Sequence, residues 1–188
     1  MNFLLIGRPN AGKSSLYNIL TSGKNNIIHK EEGTTRDWHK SSVKDLKNIF
    51  IYDTPGVIIQ NDKIDKVFFS DLFNSIDKLI YVIDFKEKNY ENEIQSINKL
   101  RSLNKEIILV INKDDNVKKN LDTSLFGIKD VFYISCAHKI GIENIYEYLE
   151  QYEDIIEQKI EDSFSIAIFG KPNAGKSTLA NSLIGYDR

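Results

Sequence analysis

The chain has 188 residues, enough for one domain of ordinary size with part of another. Its 41% apolar and 28% charged residues exclude a disordered or fibrous chain, and a formal net charge of −2 gives no bulk electrostatic case for DNA or a membrane surface as partner. A single cysteine, Cys136, excludes an internal disulfide and fits a cytoplasmic location, and the apolar runs are too short to span a bilayer.

In chain order, the apolar run 2–6 predicts a strand and the amphipathic stretch 13–22 a helix. Between them stands Gly7-Arg8-Pro9-Asn10-Ala11-Gly12-Lys13-Ser14, followed by Ser15. Glycines at this spacing, between a strand and a helix, let successive backbone N–H groups face phosphate oxygens at a helix N-terminus. Lys13 brings positive charge to the β and γ phosphates, and the Ser14 hydroxyl is placed to ligate Mg²⁺. The motif implies a nucleoside triphosphate without choosing its base.

Gly33-Thr34-Thr35-Arg36-Asp37 lies in a polar stretch from which Thr35 could reach the same metal. The alternation in HKSSVKDLKNIFIYD predicts strands over 39–44 and 47–52 about a turn near 45–47, which makes one strand antiparallel. Asp53-Thr54-Pro55-Gly56 follows at a strand end. Asp53 could hold a Mg²⁺-bound water and the Gly56 N–H could bond the γ-phosphate, so loss of that phosphate would release both segments. Helical spacing extends over 64–75, where VFFSDLF reads as core.

Continuously apolar runs predict strands over 78–84 and 106–111, of the kind covered on both faces, with a helix over 90–104 between them. Just past the second run come Asn112, Lys113, Asp114 and Asp115. The Asp115 carboxylate has two acceptor oxygens for the N1–H and N2–H donors of guanine, a pair that adenine lacks. Asn112 can tie this loop to the phosphate loop, and the Lys113 stem can lie along the base. A helix over 117–123 and a strand over 130–134 lead to Ser135-Cys136-Ala137, whose backbone could meet the guanine carbonyl. His29, His39 and His138 lack metal-ligand spacing.

A last helix over 141–158 runs into an acidic stretch, read as a linker over 151–163 between a first domain, 1–150, and the start of a second, 164–188. There FSIAIF predicts another strand, and Gly170-Lys171-Pro172-Asn173-Ala174-Gly175-Lys176-Ser177, followed by Thr178, repeats the phosphate loop. The expected fold is α/β: a three-layer, doubly wound, mostly parallel sheet of six strands with one antiparallel, followed by a truncated second copy. About 25 residues are below the roughly 40 that fold unaided, so Lys176 and Ser177 are expected to be apt in structure and idle in function.

The ordered set GRPNAGKS, TTRD, DTPG, NKDD and SCA resembles the Era-type GTPases of the TrmE-Era-EngA family, and the duplicated loop resembles its double-domain members. The resemblance implies a P-loop GTPase that cycles between GTP and GDP, with a role in large ribosomal subunit biogenesis for a longer parent protein and a monomeric state. It places catalysis with Lys13, Thr35, Gly56 and Asn10, and metal binding with Ser14, Thr35, Asp53 and Asn10. Relatives with Asn at position 10 use a bound K⁺, and Val57 stands where Ras-like enzymes have a water-orienting glutamine, so slow, K⁺-stimulated turnover is implied. Lys139 replaces a usual glycine. The alternatives are a relative of the single-domain Era or tRNA-modification GTPases, and a GTP-binding module with negligible hydrolysis.

Overall fold

The computed structural model describes residues 1–21, 27–29, 38–53, 72–116, 121–161, 167–171 and 174–184. They fall into two compact units, Met1–Ile156 and Glu157–Arg188. The first is built on one sheet: β1 (Asn2–Ile6), β2 (Ile27–His29), β3 (Trp38–Ser42), β4 (Phe50–Asp53), β5 (Lys78–Asp84), β6 (Glu106–Asn112) and β7 (Val131–Tyr133). Its spatial order is β2-β3-β4-β1-β5-β6-β7. β1 pairs in parallel with β4 and β5, β5 with β6 and β6 with β7, whereas β3 runs antiparallel to both of its neighbours.

One reversed strand in a parallel sheet is the expected pattern; the count is seven rather than six. The additional strand, β2, is three residues long at the sheet edge and precedes a polar stretch, so no run of alternating residues announces it. The turn between β3 and β4 falls where the sequence places it, with Asp45 at φ 60° and the Leu46 N–H bonded to the Val43 carbonyl at 3.1 Å.

Side-chain alternation assigns the two faces of the sheet. Phe3 and Leu5, Ile80 and Val82, and Ile108 and Val110 enter one core, against helix α1 (Lys13–Thr21) and helix α3 (Ile142–Glu161). Leu4 and Ile6, Leu79, Tyr81 and Ile83, and Ile107, Leu109 and Ile111 enter the other, against helix α2 (Glu91–Arg101) and Phe126. Each aliphatic side chain among these, shut from water, contributes about 1.5 to 3 kcal/mol. Burial on both faces is the reason these strands are apolar at every position rather than at every second one. A helical turn covers 72–75, with Leu72 buried and Phe73 packed on the second core, in line with the reading of that end of VFFSDLF as core; the rest of the 64–75 stretch lies outside the described residues.

Two expectations change. Of the helix predicted over 117–123, residues 117–120 lie outside the described residues, and a single 3₁₀ turn follows over Thr123–Phe126, capped by the Asp122 carboxylate accepting from the Ser124 N–H at 3.1 Å. The last helix, predicted over 141–158 with its tail in the acidic stretch, extends to Glu161. Its Glu153 is a structural group: the carboxylate accepts the N–H of Lys47 at 2.9 Å, the N–H of Asn48 at 3.0 Å and the Asn48 side-chain amide at 3.1 Å. Such a buried carboxylate fixes the helix to the β3–β4 turn, and a count of charged residues hides that role.

In the second unit, helix α4 (Lys176–Ile184) follows the repeated glycine loop. Residues 167–169, the described part of the predicted strand, form no strand, and Phe169 is 90% exposed. A strand is held by its ladder, and among the described residues these have no ladder partner.

Candidate functional site

The C-terminal ends of β1, β4, β5, β6 and the loop after β7 all open on one side of the sheet, where doubly wound folds place ligands. β1 delivers the loop Gly7 to Ser14 to the N-terminus of α1. Two glycines are required there by close approach. At Gly7, φ 146°, a Cβ would lie 2.2 Å from the Val82 carbonyl oxygen, and at Gly12, φ 99°, it would lie 2.0 Å from the Asn112 side-chain nitrogen. Between them Asn10 adopts φ 64°, a left-handed conformation that asparagine tolerates better than most residues.

Lys13 is buried and folds back over its own loop, its ammonium donating to the carbonyls of Gly7 at 2.9 Å and Arg8 at 2.8 Å. Burial lowers its pKa, and the nearby Asp53 charge opposes that shift. The Asp53 carboxyl is raised by burial, offset by the Ser14 hydroxyl bonded to it and by the charges of Lys13 and His39. Its Oδ1 is buried without a hydrogen-bond partner among the described residues. An orphaned carboxylate oxygen beside a serine hydroxyl is a donor set suited to a hard cation such as Mg²⁺.

The other end of the cleft is knitted by one side chain. The Asn112 amide nitrogen donates to the Ala11 carbonyl at 2.8 Å and its oxygen accepts the Cys136 N–H at 3.0 Å, so three separate loops are held together. Asp115 is aligned by the Ser135 hydroxyl, which donates to Oδ1 at 2.8 Å, and its carboxyl is held below the usual range by Lys86 and Ser135. Lys113, at φ 68°, donates to Asp84 Oδ2 at 2.5 Å. Burial pushes the Cys136 thiol up to about 11, so it is neutral and unsuited to nucleophilic attack. Lys139 takes φ 54° in the turn after Ala137, the left-handed geometry for which glycine is the usual residue.

These groups line a cleft of about 500 Å³ bounded by Asn10, Gly12 to Ser15, Asn112, Lys113, Asp115, Cys136 and Ala137. Arg8 points elsewhere. Its guanidinium bridges Glu87 and Glu93, each at 3.2 Å, in a neighbouring cleft of about 370 Å³ that Pro9 and Ala11 also line. Thr34, Thr35, Thr54, Pro55, Gly56, Val57, Pro172 and Asn173 lie outside the described residues.

The sequence reading passes over Asp84 and Lys86, yet the first grips Lys113 and the second lines the cleft and contacts Asp115 at 2.7 Å. Asp84 ends β5 and Lys86 lies just past it, at the C-terminus of a parallel strand that faces the ligand side; that position is the signal that could have found them. The second glycine loop repeats two of the internal bonds of the first. Lys176 donates to the Lys171 carbonyl at 2.8 Å and the Ala174 N–H to the same carbonyl at 3.3 Å, as Lys13 and Ala11 do to Arg8. Around Gly175, however, a Cβ would meet nothing within 4 Å, whereas Gly12 stands against Asn112.

No helix among the described residues is long and apolar enough to cross a membrane, and no cluster of three His, Cys, Asp or Glu side chains among them could hold a metal ion. Among curated proteins, GTPase Der of Kosmotoga olearia is 35% identical over 98% of this chain and 46% of its own length. GTPase Der of Borrelia garinii subsp. bavariensis is 34% identical over 98% of this chain and 44% of its own. The chain thus spans a little under half the length of these relatives. Among solved structures, the G domain of the T. maritima FeoB iron transporter aligns with TM-score 0.62 at 26% identity, over 81% of this chain and 98% of that one. A GDP-bound mutant of S. thermophilus NFeoB aligns with TM-score 0.63 at 24% identity, over 79% and 60%, a likeness of fold alone. The model of the family described as 50S ribosome-binding GTPase matches residues 2–113 and 165–188, both glycine loops included, and the chain belongs to that family.

Proposed function

We propose that the first unit binds GTP and GDP with Mg²⁺ and hydrolyses GTP, as a conformational switch acting in assembly of the large ribosomal subunit. The observation that carries the reading is the pairing of a phosphate loop with an Asp115 carboxylate pinned by Ser135 at 2.8 Å in the same cleft. A triphosphate on the amides of 8–15 would draw the Lys13 ammonium off the carbonyls it now bonds, which exchanges two neutral acceptors for anionic ones. At the far end Asp115 would accept the two guanine donors, and the Ala137 N–H would meet the base carbonyl, since the Cys136 N–H is already given to Asn112.

Ser14, Asp53 and Thr35 are the residues that would hold Mg²⁺, which when bound neutralises charge between the β and γ phosphates. The Asp53 oxygen left without a partner supports that assignment. Asn10 lines the cleft beside the phosphate loop, where its side-chain carbonyl could ligate K⁺. Val57 offers no hydrogen bond to an attacking water, so intrinsic turnover is slow. The family description supports the ribosomal setting, the Der relatives support GTP as the nucleotide, and no described helix suits a membrane.

Single-turnover hydrolysis of bound GTP, in KCl and in NaCl at equal ionic strength, tests this reading. Faster hydrolysis in KCl is expected; equal rates reject the potassium role. Val57 also favours a second reading, a module that signals by GTP occupancy alone. Bound GTP that persists unhydrolysed in both salts would establish that reading instead.

A further inference from the structure

We propose that Lys86 is a built-in competitor for the base-reading position: its ammonium closes on Asp115 and must leave before a guanine edge can bind. The proposal rests on the reading of Asp115 as the guanine acceptor. Lys86 Nζ lies 2.7 Å from Asp115 Oδ2 and lines the same cleft as Lys113, Cys136 and Ala137, so it stands in the volume the base would fill. Asp115 Oδ1 is served separately, by the Ser135 hydroxyl at 2.8 Å, and His138 Nε2 is 3.9 Å from it. Of the two oxygens that guanine needs, one is thus aligned by a partner that can stay and the other is held by a cation.

The local backbone points Lys86 into this contact. The Lys86 N–H donates to Asp84 Oδ1 at 2.9 Å, while Asp84 Oδ2 is taken by Lys113 at 2.5 Å. Asp84 therefore has one oxygen on the turn that carries Lys86 and the other on the side chain of Lys113, and Asp115 is the acidic group left to the Lys86 ammonium. With Lys86 61% and Asp115 28% exposed, the pair is of the weak, salt-sensitive kind, breakable at little cost. Guanine displaces the ammonium and supplies two N–H donors in return; adenine can supply none to these oxygens. The competition lowers affinity for every guanine ligand by slowing its entry into the cleft.

Guanosine separates this effect from the phosphate loop, because it is uncharged and carries only the base and sugar. Its binding to the whole chain is followed by ligand-observed NMR between about 0.05 and 0.5 M ionic strength, a range over which exposed ion pairs are progressively screened. For the unaltered chain, affinity is expected to rise with salt. In Lys86→Met it should be about two- to fivefold tighter at low salt, the range set by exposed ion pairs, and flat with salt. Lys86→Arg, which keeps the cation, should restore the salt dependence. Equal guanosine affinity and equal salt response in the unaltered chain and Lys86→Met overturn the proposal, as does weaker binding by Lys86→Met. An unaltered chain that fails to prefer guanosine over adenosine overturns the base reading itself, and the proposal with it.

Discussion

Asn112 reaches across 101 positions of sequence to donate its side-chain amide to the Ala11 carbonyl at 2.8 Å, joining the loop proposed to read the base to the loop proposed to hold the phosphates. Its other end accepts the Cys136 N–H at 3.0 Å, and the whole side chain is 2% exposed. Asn112→Ala therefore orphans two groups at once, the buried Ala11 carbonyl and the half-buried Cys136 N–H. A loss of about 2 to 6 kcal/mol in denaturant unfolding is expected, at about 1 to 3 kcal/mol per unsatisfied group, with GDP affinity reduced at least about tenfold. A variant as stable and as tightly binding as the parent would show that the three loops are held by something else.

Two internal bonds of the first glycine loop recur in the second, but only the first stands against an asparagine. Nucleotide binding is accordingly assigned to the first. Lys13→Ala removes a charge-assisted contact and should weaken GDP by at least about tenfold, whereas Lys176→Ala should leave stoichiometry and affinity unchanged. Calorimetry on both variants decides it, and a halved stoichiometry in Lys176→Ala would show that the second loop also binds.

Tyr81 is buried on the α2 face of β5, and burial, opposed by the Ser96 hydrogen bond, pushes its hydroxyl up to about 12 from an ordinary 10.0. Above pH 10 the unfolded chain gives up this proton first, so it binds fewer protons than the folded chain and stability falls as pH rises. The contribution is whole below pH 10 and is lost between about 10 and 12, amounting to roughly 2 to 3 kcal/mol. Unfolding free energies across that window should show a shallower decline in Tyr81→Phe than in the parent. Identical slopes would assign the alkaline loss to other tyrosines.

Much of the first unit was legible because its strands are buried on both faces: the runs 79–83 and 107–111 could be nothing else once turn residues bounded them. The site was legible where motif and strand end coincide, as at Gly7 and Asn112. Illegible were features set by tertiary partners. Edge strand β2 has three residues and owes its existence to pairing with β3. Helix α3 continues past the predicted 158 to Glu161, and its Glu153, in a stretch that reads as solvated acid, is used internally to seat a turn. Lys86 was passed over because a lysine after a strand has no motif of its own; its meaning is its distance from Asp115. In the second unit the glycine loop is drawn by its own local bonds, whereas the strand predicted before it needed a neighbour to become one.

The account turns on Asp115 choosing the base, and exchanging that carboxylate for an amide asks the question directly. Calorimetry with Mg²⁺ should find GDP bound far more tightly than ADP by the unaltered chain. Asp115→Asn should bind GDP more weakly and the xanthine diphosphate better, because xanthine presents an oxygen where guanine presents its amine. ADP bound by the unaltered chain as tightly as GDP, or an unchanged preference in Asp115→Asn, would contradict it.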